Sequence, residues 1–182
     1  GIAVDNLRNI LYVSNWYDNT LTVVDLSIKK IIKTIKVGRS PAGIYFDDHH
    51  KRLFVTNRED NEISVIDTKN LIVIKKVAVE KAPFGIYSEK YLDYLVVTNV
   101  QSNSISIINK KNFNLEANIK VGKWPYSVIH NKKNNNLYVT NQRDDSISII
   151  DMNTNTQKNE IKDVCEYPEG IDISYAQNLI VV

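Results

Sequence analysis

Short apolar runs alternate along the chain with clusters of Asn, Asp, Gly, Pro and Lys, and no window sustains a helical period. The runs are rich in β-branched residues, which is the composition of strands divided by turns. Over residues 43–84 the pattern predicts four strands, at about 43–47, 52–57, 62–67 and 71–79. In the third of these, Ile63 and Val65 point to one side and Ile66 to the other. The sheet is therefore apolar on both faces and has to be sandwiched between neighbours.

The same pattern recurs at a spacing of 42 residues. Leu11-Tyr12-Val13-Ser14-Asn15 aligns with Leu53 to Asn57, Leu95 to Asn99 and Leu137-Tyr138-Val139-Thr140-Asn141. Leu21 to Asp25 aligns in turn with Ile63 to Asp67, Ile105 to Asn109 and Ile147 to Asp151. A third column, Pro-x-Gly-Ile, begins at Pro41 and Pro83, loosens at Pro125 and returns one residue late at Pro168. A repeat of about 42 residues holding four short strands fits one blade of a β-propeller, whereas leucine-rich, ankyrin and β-helical arrays have shorter units. The predicted class is all-β: a propeller of four-stranded antiparallel blades, with blades about 1–42, 43–84, 85–126 and 127–169 and an incomplete one over 170–182. Four blades and the start of a fifth would leave bare apolar faces. Further blades of a roughly seven-bladed ring, or another chain, are expected to cover them.

Composition narrows the function classes. Of 182 residues, 23 are basic and 21 acidic, so no global basic field favours non-specific binding of nucleic acid. Cys165 is the single cysteine, which excludes an intrachain disulfide and any site built on several thiolates; it is expected to pack in a loop. No stretch has the length and hydrophobicity of a membrane span, and no basic-then-apolar leader is visible.

The recurring Tyr-Val-Thr-Asn, complete at 138–141 and near-complete at 12–15, 54–57 and 96–99, resembles the repeat of the YVTN β-propeller family, as do Pro-x-Gly-Ile and the Ser-Ile-Ser-Ile-Ile-Asp strand. The resemblance covers the whole chain. It implies a propeller of the kind found in surface-layer proteins, in secreted or periplasmic YncE-like proteins, and in relatives of quinohaemoprotein and nitrite reductase propellers. It implies a periplasmic, secreted or cell-surface location. It also implies that the loops beside Pro-x-Gly and those after each Asn share one face near the central channel.

The recurring Asn15, Asn57, Asn99 and Asn141 read as turn formers that bond their own turns and tolerate left-handed backbone; Asp25, Asp67, Asn109 and Asp151 read as caps of the next hairpin. Binding is expected where blades differ on the loop face: Trp16, Tyr17, Arg39, Arg58, Lys81, Phe84, Lys123, Trp124, Tyr126, Arg143 and Tyr167. Aromatic and Arg side chains on a rigid rim are typical of binding hot spots. Catalytic and metal chemistry find little support. Asp47-Asp48-His49-His50 falls in a turn on the opposite face, where adjacent histidines are expected to diverge. His130 stands alone, and the acidic pairs Glu59-Asp60 and Asp144-Asp145 read as solvated hairpin tips. The favoured function is non-catalytic recognition or surface scaffolding, with a protein or glycan ligand and no cofactor. The alternatives are the propeller of a quinone- or haem-dependent oxidoreductase and a YncE-like protein binding single-stranded DNA; nucleic acid is the less favoured partner.

Overall fold

The computed structural model of the chain describes residues 1–177 and 179–182, and among these every regular element is a strand. The first sheet comprises β1 (Ile2–Asp5), β2 (Ile10–Asn15), β3 (Thr20–Asp25) and β4 (Lys30–Lys36). The second comprises β5 (Pro41–Asp47), β6 (Arg52–Asn57), β7 (Glu62–Asp67) and β8 (Ile72–Ala78). β9 (Pro83–Tyr87), β10 (Tyr94–Asn99), β11 (Ser104–Asn109) and β12 (Leu115–Lys120) form the third. β13 (Pro125–Asn131), β14 (Asn136–Asn141), β15 (Ser146–Asp151) and β16 (Thr156–Ile161) form the fourth. β17 (Asp172–Ser174) and β18 (Leu179–Val181) begin a fifth. Each sheet is an antiparallel meander in sequence order. The strands of the second sheet fall where the alternation predicts them, with β5 starting two residues early, at the proline.

First strands of successive sheets contact one another, and fourth strands carry mostly exposed residues, so the sheets radiate from an axis lined by β5, β9 and β13. Their faces stack. Tyr12, Leu21 and Val23 of the first sheet meet Leu53, Val55 and Ile66 of the second. Phe54, Ile63 and Val65 on the reverse of the second meet Leu95, Val97 and Ile108 of the third. Val96, Ile105 and Ile107 then meet Leu137, Val139 and Ile150 of the fourth. Burying each such side chain contributes about 1.5–3 kcal/mol. On the free face of the first sheet the equivalent Leu11, Val13 and Val24 are only half-buried, and Ile2 and Ile31 are 69% and 66% exposed.

The repeated polar residues divide the labour differently from the sequence expectation. Asp25, Asp67, Asn109 and Asp151 do cap their hairpins: each Oδ1 accepts a main-chain N–H two residues on, at 2.8–2.9 Å. The strand-end asparagines do not form their turns through their side chains. Their amides reach across to the next strand: Asn57 donates to Ser64, Asn99 to Ser106 and Asn141 to Ser148, at 2.8–2.9 Å, and Asn15 to Thr22 at 2.8 Å. The left-handed residues are Asn19, Asn61, Asn103 and Asp145, four places later. A fully buried amide gains more from a fixed hydroxyl partner than from a turn already closed by main chain.

The hydroxyl before each asparagine joins one sheet to the next. Ser14, Thr56, Thr98 and Thr140 donate to the carbonyls of Ala42, Phe84, Tyr126 and Glu169, at 2.8, 2.9, 3.0 and 3.2 Å. The same hydroxyls of Thr56, Thr98 and Thr140 accept the N–H of Gly43, Gly85 and Ser127, where the first strand's register shifts and the ladder leaves a donor open. A Cβ on Gly85 would lie 2.1 Å from the Tyr126 carbonyl oxygen, so only glycine admits this approach.

Several tyrosines sit between sheets with their hydroxyls shielded. Burial pushes Tyr45 and Tyr94 up to about 12, and burial together with the hydrogen bond to Glu89 pushes Tyr87 higher still. A raised folded value means that the folded chain holds these protons more tightly than the unfolded chain, which releases them near pH 10. Their stabilising contribution is complete below about pH 10 and is lost as pH rises through about 12. Lys110 opposes this below its ordinary range, because burial lowers its folded value. Unfolding in urea is therefore expected to need less denaturant at about pH 11 than at about pH 8. Equal midpoints would show that the tyrosines do not outweigh Lys110.

Candidate binding site at the axial rim

The rim is built by a double latch repeated between sheets. The residue before each proline, Ser40, Ala82, Trp124 or Tyr167, has φ of 51°, 57°, 56° or 52°. Its N–H donates to the side chain of Asn19, Asn61, Asn103 or Asp145, at 2.9–3.1 Å. The carbonyls of Ser40, Ala82 and Trp124 then accept the N–H of Arg58, Val100 and Gln142, at 3.1, 3.0 and 2.9 Å. Left-handed backbone is costly for a bulky residue such as Trp124, and the two bonds hold it there. The prolines that follow open β5, β9 and β13, while Pro168 stands outside a strand.

This scaffold brings three of the predicted rings together. Trp16 follows β2, and Phe84 and Tyr126 directly follow the prolines that open β9 and β13. Trp16 meets Phe84 edge-on at 6.3 Å between ring centres, and Phe84 meets Tyr126 at 4.8 Å. The intervening position on β5 is Ala42, whose small side chain lets Trp16 reach the third sheet. With Pro41, Gly43, Gly85 and Ser127 they line a cleft of about 360 Å³. The Arg58 guanidinium stands 5.9 Å from the Trp16 ring.

Beside the cleft, Arg39, Arg58, Glu59, Lys81 and Gln101 line a polar recess of about 480 Å³. Arg39 is fastened in it, since its Nε donates to Asp60 at 2.6 Å; this bond holds the Asp60 carboxyl below its usual range and raises Arg39. Lys123 pairs likewise with Asp144 at 3.4 Å. Among the described residues neither Arg58 nor Lys81 pairs with a carboxylate.

The remaining predicted residues lie apart from the cleft. Trp124 carries the Arg143 guanidinium 3.8 Å above its ring. Tyr167 and Arg143 border a further recess of about 490 Å³ with Gln142, Asp145 and Glu166. Tyr17 is 93% exposed and joins neither group. Two expectations elsewhere are corrected. The rings of His49 and His50 do not diverge but meet edge-to-face at 4.6 Å, because the chain turns there and His50 Nδ1 lies 2.8 Å from Asp47. Cys165 is exposed rather than packed.

Among the described residues, no group of three or more His, Cys, Asp or Glu is placed to hold a metal ion. The rim is therefore an aromatic cleft flanked by two unpaired cations, on stacked four-stranded blades. The fold is that of a β-propeller, four blades and part of a fifth.

Solved structures agree with that class. The chain is similar to Kuenenia stuttgartiensis hydrazine synthase, with a TM-score of 0.82 at 19% identity, over 93% of this chain and 50% of that one. It is similar to the Cps50 (Swd1) β-propeller domain of Myceliophthora thermophila, with a TM-score of 0.77 at 9% identity, over 95% and 58%. A functionally unknown protein of Desulfotomaculum acetoxidans matches with a TM-score of 0.75 at 14% identity, over 88% and 55%. The chain thus spans between half and three-fifths of the length of these structures. No family model matches it, and no curated protein sequence matches it.

Proposed function

We propose that the protein is a non-catalytic recognition module that binds a ligand through its axial rim. The observation that carries this reading is the convergence of Trp16, Phe84 and Tyr126, drawn from three different blades, on one cleft beside Arg58. Phe84 and Tyr126, each two residues after a latched position, lose little entropy on binding, which suits them as anchors. The recurring Tyr-Val-Thr-Asn motif supports a YVTN-type propeller and, with it, a periplasmic, secreted or cell-surface setting. The half-buried Leu11, Val13 and Val24 support coverage of the first sheet by a further blade or another chain, in a ring of roughly seven blades.

Protein and glycan arrays probed with the chain and with a Trp16→Ala/Phe84→Ala/Tyr126→Ala variant test the reading. The chain is expected to retain a ligand that the variant loses while its circular dichroism is unchanged. Equal retention by both would overturn it. A second reading, part of a redox enzyme, is favoured by the likeness to hydrazine synthase. A visible absorption band in protein from its native source would support it over the first.

A further inference from the structure

We infer that the axial cleft takes one large apolar side chain of an acidic peptide, while a neighbouring carboxylate of that peptide is held by Arg58 and Lys81. The inference rests on the recognition reading above and names its ligand.

The cleft offers little to a polar ligand. Its main-chain carbonyls at Ala42, Phe84 and Tyr126 are already engaged by the hydroxyls of Ser14, Thr56 and Thr98. What remains is the rings of Trp16, Phe84 and Tyr126, the Pro41 ring, the bare backbone of Gly43 and Gly85, the Ser127 hydroxyl, and Gly1, whose ammonium already donates to Ser14. At about 360 Å³ it stands near the lower end of ligand pockets and suits a single ring or branched aliphatic group. A sugar would bury several hydroxyls there against one free side-chain partner, Ser127.

The charge lies immediately beside it. Arg58 belongs to both places, since it stacks on Trp16 and also lines the recess that Lys81 closes. Of the three cations in that recess, Arg39 is consumed by Asp60. Arg58 and Lys81 are left facing one carboxylate, Glu59, which suits a single incoming acid better than a polyanion. Glu59 and Asp145 on the same rim would repel successive phosphates, and the three rings share one cleft of a size for a single group.

The test uses the 182-residue chain carrying Trp124→Phe, so that Trp16 alone reports by fluorescence. The probes are capped pentapeptides with one Phe or Leu followed by two glutamates, twins with two glutamines, twins with alanine for the apolar residue, a short oligothymidylate and a neutral oligosaccharide. The acidic apolar peptides are expected to shift Trp16 emission and to bind roughly tenfold more tightly than either twin, with Arg58→Gln erasing the preference for glutamate. Arg58→Lys is expected to keep part of it, which separates lost charge from lost folding. No binding by any acidic peptide, equal binding of the glutamine twins, or preference for the oligothymidylate would overturn the inference. Should the oligosaccharide or an array ligand bind instead, and depend on Trp16, the recognition reading would stand and the peptide would fall.

Discussion

Replacing Lys110 with methionine is expected to destabilise the fold by about 3–5 kcal/mol, the cost of leaving one member of a buried ion pair without its partner. Lys110 and Asp47 are both fully buried, between the second and third blades. The ammonium lies 3.7 Å from the Asp47 carboxylate, donates to the Glu89 carbonyl at 2.9 Å and faces the Tyr45 ring at 5.4 Å. Methionine keeps most of the stem and removes the charge together with the hydrogen bond to the Glu89 carbonyl. The fourth blade shows that the position accepts it, because Met152 stands there against the apolar core. The loss would come from Asp47, which cannot leave: its Oδ1 accepts the His49 N–H at 3.1 Å and its Oδ2 meets His50. Lys110→Met together with Asp47→Asn removes both charges and keeps the turn's acceptor, so the pair is expected to return within about 1 kcal/mol of the parent. Urea unfolding of the four proteins completes the cycle. A single Lys110→Met variant as stable as the parent would show that the pair carries no weight.

This junction also shows where sequence reading stopped. The Asp47 to His50 turn was visible, and so was the lysine 60–63 residues on, but nothing in a repeat alignment says that the turn of one blade meets the following blade's hairpin. The first junction uses different chemistry at the same place, with Arg8 donating to Thr68 at 2.9 Å. Strands, blades and hairpin caps were legible because they depend on neighbours within a few residues, as the Asp25, Asp67, Asn109 and Asp151 caps do. The strand-end asparagines were misread because two polar residues flank each hairpin and the sequence does not mark which one bends. The usable signal was the Ser or Thr seven residues after each of them, at Thr22, Ser64, Ser106 and Ser148.

The candidate rim was legible as a set but not as an arrangement. Trp16, Phe84 and Tyr126 were all named, yet their convergence depends on Ala42 being small, a fact about a residue that is not itself in the site. Arg39 and Lys123 were named as ligand cations, and the structure assigns both to ion pairs with acids at the same spacing, Asp60 and Asp144. From sequence alone those acids read as solvated tips. Opposite charges recurring at one offset in two repeats were the available sign of a latch.

The hydroxyl clip was beyond any such sign, because its partner is a main-chain carbonyl of the next blade. Thr98→Val is expected to cost about 2–4 kcal/mol, since an isosteric apolar side chain strands both the Gly85 N–H and the Tyr126 carbonyl, each worth about 1–3 kcal/mol when buried without a partner. Thr98 is fully buried, so water does not replace the hydroxyl there without opening the blades. Thr98→Ser retains both bonds and gives up one methyl, an expected loss of about 1 kcal/mol; the first blade uses Ser14 in this role. The two substitutions together separate the bond from the packing, and urea midpoints for both decide it. If valine costs nothing while serine does, the recurrent threonine is there for its methyl. If valine costs more and also shifts the emission of Trp16, the clip both joins the blades and sets Tyr126 in the cleft, so that the same hydroxyl that makes the fold continuous fixes one wall of the site.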